Sequence, residues 1–263
     1  FQQVIRVTVA IGQIASLLPV VGVFNDEANS VNISCQIEAK ILELIFYIWF
    51  KRVLKTSIAA PAVFYITACL TMVIFFRAAR RWPQLVQNIA RLEEINPCFD
   101  STLKRKCCIT CAIILVMALF EHILSLLSAY AGSVECNLYS KSSYKAFIVY
   151  FYPWIFDSIP YSVFLGILVQ FLHVQATFVW NFSDIFVICI SYYLTSRLKQ
   201  VNEKVLSAQG KYLPEIFWRS TREDYCRATQ IVQKVDEVIS GVIFISFANN
   251  LFFVCLQLFN IIE

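Results

Sequence analysis

Apolar runs longer than a soluble helix needs alternate along this chain with short polar stretches that carry basic residues at their ends. The longest run follows Pro160 and reaches Arg197-Leu198-Lys199 without another proline. Pro160 is placed to open a helix, and that helix exceeds the roughly 20 residues that cross a bilayer, so it also projects beyond it. Within it Gln170, His173, Thr177, Asn181, Asp184, Ser191 and Thr195 recur at three, four or seven residues, which puts them on one face. A polar stripe on a spanning helix costs too much to face lipid. It therefore faces neighbouring helices, as hydrogen-bonding glue, or lines a water-filled cavity.

The remaining runs predict the other elements. Residues 4–24 form a first apolar stretch, interrupted by Gly12, Pro19 and Gly22. Gln2, Gln3, Arg6 and Gln13 leave it open as a span, an interfacial helix or a re-entrant segment. A polar loop follows, and the apolar run 41–50 before Lys51-Arg52 is short for a first helix. A second helix is predicted over 56–95, with a clear span to Phe76 and then Arg77, Arg80, Arg81 and Arg91, which place that end in the cytoplasm. Leu85, Ile89 and Leu92 keep helical spacing until Asn96-Pro97. Lys104, Arg105 and Lys106 open a third helix over 104–131, which must run outward. An aromatic segment broken by Pro153 and Pro160 reads as a short outer helix or lid, grouped with the long fourth helix as 146–205. The fifth helix, 229–262, runs outward and carries a second stripe of Ser246, Asn250, Gln257 and Asn260, with Asn249 beside it. No internal repeat and no Ser/Gly-rich linker divides the chain, so 1–263 reads as one all-α, polytopic transmembrane helical bundle.

Composition narrows the class. A chain 59% hydrophobic is no ordinary soluble domain. The net charge of +4 sits at the ends of apolar runs, which reports topology and argues against nucleic acid as a partner. Most of the 10 cysteines lie inside apolar runs and act as small hydrophobes. Cys107-Cys108 and Cys111 have no matching His or second Cys pair at zinc spacing, so no metal and no cofactor is expected. The juxtamembrane position of Cys107-Cys108 suits acylation. No Gly-x-Ser-x-Gly or His-Glu-x-x-His is present, which argues against an enzyme. A transporter of small polar solutes would also need polar midplane residues, but with internal repeats and broken spans. A receptor coupled to a G protein would need an external N-terminus, which the arginines after Phe76 oppose. The chain opens at Phe1, without an initiator Met or a cleavable signal peptide, and is expected to be a fragment.

Several ordered blocks carry a resemblance. Thr177-Phe178-x-Trp180-Asn181-Phe182-x-Asp184-x-Phe186, closing on Thr195-x-Arg197-x-Lys199-Gln200-x-Asn202, resembles the sugar-receptor group of insect gustatory receptors. So do Leu18-Pro19-Val20-x-Gly22-Val23, Phe75-Phe76-Arg77-x-Ala79-Arg80-x-Trp82-Pro83, Ala118-Leu119-x-Glu121-His122, and the block from Asp236 through Asn249-Asn250 to Asn260. The match runs in family order over most of the chain. It implies the seven-helix insect chemoreceptor channel fold with a cytoplasmic N-terminus, in the plasma membrane. It further implies a homo- or hetero-tetramer of related subunits forming a cation channel opened by sugars. The family's sixth and seventh helices, with the pore-helix signature, have no counterpart before Glu263, so the expected alternative is a truncated receptor that does not conduct.

Depth selects the ligand candidates. Glu121 and His122 lie past the midpoint of the outward-running third helix. Tyr161, Gln170 and His173 are on the outer part of the fourth, with Trp180 near its middle, and Asn249, Asn250 and Gln257 lie in the middle to outer part of the last span. A sugar needs carboxylate, amide or imidazole partners for its hydroxyls and an aromatic face for its C–H surface. For each residue the alternative reading is packing or an interhelical hydrogen bond, and Asp184, which lies deeper, suits a structural pairing with Asn181 or a neighbouring helix.

Two outcomes check this topology. Accessibility tagging should find the N-terminus in the cytoplasm and position 263 outside; a cytoplasmic position 263 would overturn it. Asn32-Ile33-Ser34 and Asn181-Phe182-Ser183 match the glycosylation sequon, yet neither should carry glycan. A gel shift abolished by Asn32→Gln would mean that residues 4–24 form the first span.

Overall fold

The computed structural model describes residues 2–14, 20–21, 32–33, 59–95, 100, 102–136 and 143–262. The expected short helix 41–50 lies outside the described residues. Among the described residues, apart from one two-residue antiparallel pair, Val20–Val21 against Asn32–Ile33, the regular elements are helices. They are α1 Gln2–Ile14, α2 Ala59–Ile95, α3 Leu103–Cys136, α4 Ser143–Phe151, α5 Pro153–Phe156, α6 Val163–Leu206 and α7 Glu215–Ile262. Four of them, α2, α3, α6 and α7, are long and apolar enough to cross a membrane, and the chain is a helical transmembrane bundle.

The helix α6 is the axis of the bundle, touching α1, α2, α3, α4 and α7. Val179, Phe182, Ile185, Phe186 and Cys189 along it are fully buried. Phe75 of α2 sets its ring 5.3 Å from both Phe182 and Phe186, and Trp82 lies 5.7 Å from Phe186. Buried Leu85, Val86 and Ile89 continue the core past Pro83, whose lost amide donor would otherwise weaken α2. Where Arg77, Arg80 and Arg81 emerge, Arg81 Nη1 donates to the Glu237 carbonyl of α7 at 3.4 Å.

Three elements differ from the sequence expectation for identifiable reasons. The long helix starts at Val163 rather than at Pro160, because Ser162 is extended and its hydroxyl accepts the Leu165 amide hydrogen at 3.2 Å. A side-chain N-cap outweighs the preference of proline for the first turn. The outer segment is two helices, α4 and α5, broken at Tyr152-Pro153. The last helix begins at Glu215, well before the apolar pattern does; its polar half is laced by pairs such as Arg219–Glu223 at 3.5 Å and Lys234–Glu237 at 3.1 Å. Gly210, at φ +73, supplies the left-handed residue in the turn between α6 and α7.

The first helix goes into the bundle. Ile5 and Val9 are buried, and α1 packs between α3 and α6. The Thr8 hydroxyl lies 3.5 Å from Cys111 Sγ, which is 3.6 Å from Cys189 Sγ; both thiols are free. Gly12 sits so close to Phe182 that a Cβ there would stand 2.5 Å from its ring. Cys107 is buried on the same side of α3, which leaves half-buried Cys108 as the better placed of the pair for acylation.

That contact predicts the effect of Gly12→Ala. On a helix lying at the membrane surface the change would stabilise by up to about 1 kcal/mol through helix propensity. Against the buried Phe182 ring it should destabilise by about 1–3 kcal/mol through overpacking. Thermal unfolding of the two proteins in the same detergent reads the sign.

Candidate ligand-binding site

The polar stripe of α6 resolves into two layers. The first is at the end of the bundle capped by α4 and α5. His173 Nδ1 is 2.9 Å from the Tyr65 hydroxyl of α2, and the His173 ring stacks on His122 of α3 at 5.6 Å and 30°. Phe151 and Tyr152 of the cap meet His173 edge-on at 5.4 and 5.8 Å, and Phe64 lies tilted at 5.7 Å. One turn nearer the cap, Tyr152 donates to Gln170 Oε1 at 2.8 Å. The half-buried His122 has an imidazole Nε2 that is buried without a hydrogen-bond partner among the described residues. Buried polar atoms are nearly always paired, because leaving one unpaired costs about 1–3 kcal/mol.

The second layer lies deeper, between α6 and α7. Trp180 Nε1 donates to Asn250 Oδ1 at 2.8 Å, and Asn250 Nδ2 donates to both carboxyl oxygens of Asp184 at 3.1 Å. Ser246 also donates to Asp184 Oδ1. Asp184 is thus paired with the neighbouring helix, while Asn181 turns to the Thr177 carbonyl of its own helix. Beside this network Thr67 of α2 donates to buried Asn249 at 3.0 Å. Phe253 covers the Trp180 ring at 4.5 Å. A cavity of about 10 Å³ among Thr67, Thr71, Trp180, Ser183, Ser246 and Asn249 is of the size that one water fills.

The nine sequence candidates therefore do not form one cluster. Gln170, His122 and His173 meet in the capped layer, while Trp180, Asn249 and Asn250 belong to the deeper one. Tyr161 stands apart at the cap, with Lys145 Nζ 5.7 Å above its ring. Glu121 and Gln257 are exposed on the outer faces of α3 and α7. Adjacent residues on a helix point about 100° apart, so His122 turning inward sends Glu121 outward. Sequence reasoning missed Tyr65, Phe151 and Tyr152. The available signal was a hydroxyl-bearing aromatic inside a span, and another beside Pro153 in the segment read as a lid.

The trehalose receptor family matches residues 1–263. Among Drosophila melanogaster proteins, "Gustatory receptor for sugar taste 64a" is 27% identical over 95% of this chain and 60% of its own length. "Gustatory receptor for sugar taste 64f" is 26% identical over 98% of this chain and 58% of its own. "Gustatory receptor 5a for trehalose" is 28% identical over 80% of this chain and 48% of its own. The chain thus spans about half to three-fifths of the length of these relatives. With the family match running from Phe1 to Glu263 and four helices fit to cross a bilayer, the chain belongs to the trehalose receptor family of gustatory receptors.

Proposed function

We propose that this chain is the ligand-recognising portion of a sugar-gated cation channel subunit, not an enzyme. It would act in the plasma membrane of taste neurons, within a tetramer of like or related subunits. In this reading the N-terminus is cytoplasmic and the end capped by α4 and α5 faces outward. The relatives named for sugar taste and for trehalose support the ligand class. Among the structural observations, the one that carries the reading is His122 Nε2, unpaired among the described residues, beside a cluster of aromatic and imidazole groups. Aromatic faces suit the C–H surface of a sugar ring, and a buried unpaired nitrogen suits a hydroxyl. His122, His173 and Gln170 are the proposed direct contacts, with Tyr161 at the entrance. Trp180, Asn249 and Asn250 are the proposed floor. Glu121 and Gln257 belong at the edge, reached by a ligand that extends past α3 or α7.

Ligand binding at that layer would be read by α7, because the Trp180–Asn250–Asp184–Ser246 network joins the floor to it directly. A sugar that displaces Trp180 or His173 shifts the energy of the α6–α7 contact only by the difference in how it binds the two arrangements.

The test is a sugar dose–response, with surface labelling, in a chimaera that takes its remaining helices from one of the fly relatives. His122→Phe keeps the stacked ring and removes both nitrogens. It should leave surface expression unchanged or raised, since an unpaired polar group is gone, while sensitivity falls about two- to tenfold for one neutral hydrogen bond. Glu121→Gln should have a smaller effect. Unchanged sensitivity in His122→Phe would remove this layer from the binding site.

A further inference from the structure

The sugar reading leaves unused a pocket at the opposite end of the bundle. It encloses about 310 Å³ and lies between the far ends of α2, α6 and α7. Leu92, Val201, Ala228 and Ile231 form its apolar walls, and its polar lining is Arg197, Gln200, Lys204, Asp224 and Arg227. The volume is at the lower end of the range for small-molecule sites and room for several waters.

Its electrostatics are lopsided. Three cations face one carboxylate, and that carboxylate is fully engaged: Lys204 Nζ holds Asp224 Oδ2 at 2.5 Å and Arg227 Nη2 holds Oδ1 at 2.8 Å. Arg197 is braced from outside the lining by Glu93, so its guanidinium is fixed in place. One buried donor is left over. Arg227 Nε is buried and has no hydrogen-bond partner among the described residues. A guanidinium presents its donors as a planar fork suited to phosphate, and an unpaired buried one is costly.

We infer that this pocket binds a phosphate-bearing anion, held by the Arg227 and Arg197 guanidiniums, Lys204 and the Gln200 amide between α2, α6 and α7. The phosphate could come from a soluble metabolite or from a lipid headgroup, and position favours the soluble source. Leu92 is eleven residues beyond Arg81 on α2, or roughly 16 Å along the axis. With Arg77, Arg80 and Arg81 marking the membrane edge, a headgroup anchored there falls short of the pocket. A small phosphate monoester entering from the aqueous side fits the volume and the charge. It would clamp the polar half of α7 to α6, so the occupancy of this pocket would report intracellular metabolite level to the helix that the sugar layer also contacts.

The experiment uses the purified chain in nanodiscs of neutral lipid, titrated with glycerol 3-phosphate and followed by thermal stability and calorimetry. A second arm replaces the soluble compound with nanodiscs containing a phosphorylated inositol lipid. The expected result is saturable binding of glycerol 3-phosphate that weakens as salt is raised and lifts the unfolding temperature with concentration. Arg227→Gln should weaken binding at least tenfold. Gln200→Glu leaves the Lys204–Asp224–Arg227 cluster intact, so it stays testable if Arg227→Gln does not fold, and it should weaken binding as much. Absence of saturable binding in the folded protein, or equal binding in Gln200→Glu, would overturn the site. Stabilisation by the inositol lipid alone would overturn the soluble source. Sugar responses play no part in these readouts, so failure here leaves the sugar proposal standing, and the reverse holds.

Discussion

A carboxyl group in the middle of a membrane bundle must be answered by its neighbours, and the answer given to Asp184 organises this structure. Ser246 and Asn250 of α7 both donate to it, and Trp180 of α6 closes the set through Asn250. In a bilayer no water replaces these donors, so α6 and α7 are held at one register and one rotation. Apolar packing alone would tolerate sliding, because lipid is as good a neighbour for leucine as another helix is. Once that register is set, Asn249 meets Thr67, and the aromatic seam of Phe75, Trp82, Phe182 and Phe186 brings α2 onto the same axis.

The same constraint separates the two ends of the molecule. Toward the α4–α5 cap the polar groups are spaced among aromatic rings, and His122 Nε2 has no partner among the described residues. Toward the other end the polar groups are charged, and α6 and α7 are tied by Lys204–Asp224 and α2 to α6 by Glu93–Arg197. The helix α1 fills the space between α3 and α6 at the level of Cys111 and Cys189.

Much of this was legible in the sequence because helical period fixes faces. The stripe on α6 could be read as one face from its spacing, but period does not name partners. Three of its members took cross-helix partners, whereas Thr177 and Asn181 bonded back to carbonyls one turn earlier, and Ser191 and Thr195 stayed exposed. On α3 the surroundings are apolar on nearly every side, so nothing local said whether Glu121 or His122 would turn inward. The placement of Ser162 as a cap depended on a single hydroxyl bond that competes with Pro160. Tyr65 and Tyr152 looked like ordinary span and lid aromatics, because their roles come from residues about a hundred and about twenty positions away.

The dependence of the bundle on Asp184 can be measured directly by a double-mutant cycle. Asp184→Ala, Asn250→Ala and the double variant would be unfolded in the same lipid or detergent. Interhelical hydrogen bonds in membrane proteins average about 0.6 kcal/mol. A bidentate contact to a carboxyl should couple at about 1.5 kcal/mol or more. Coupling of that size would establish the Asp184–Asn250 contact as the tie between α6 and α7, and additive losses, with no coupling, would contradict it.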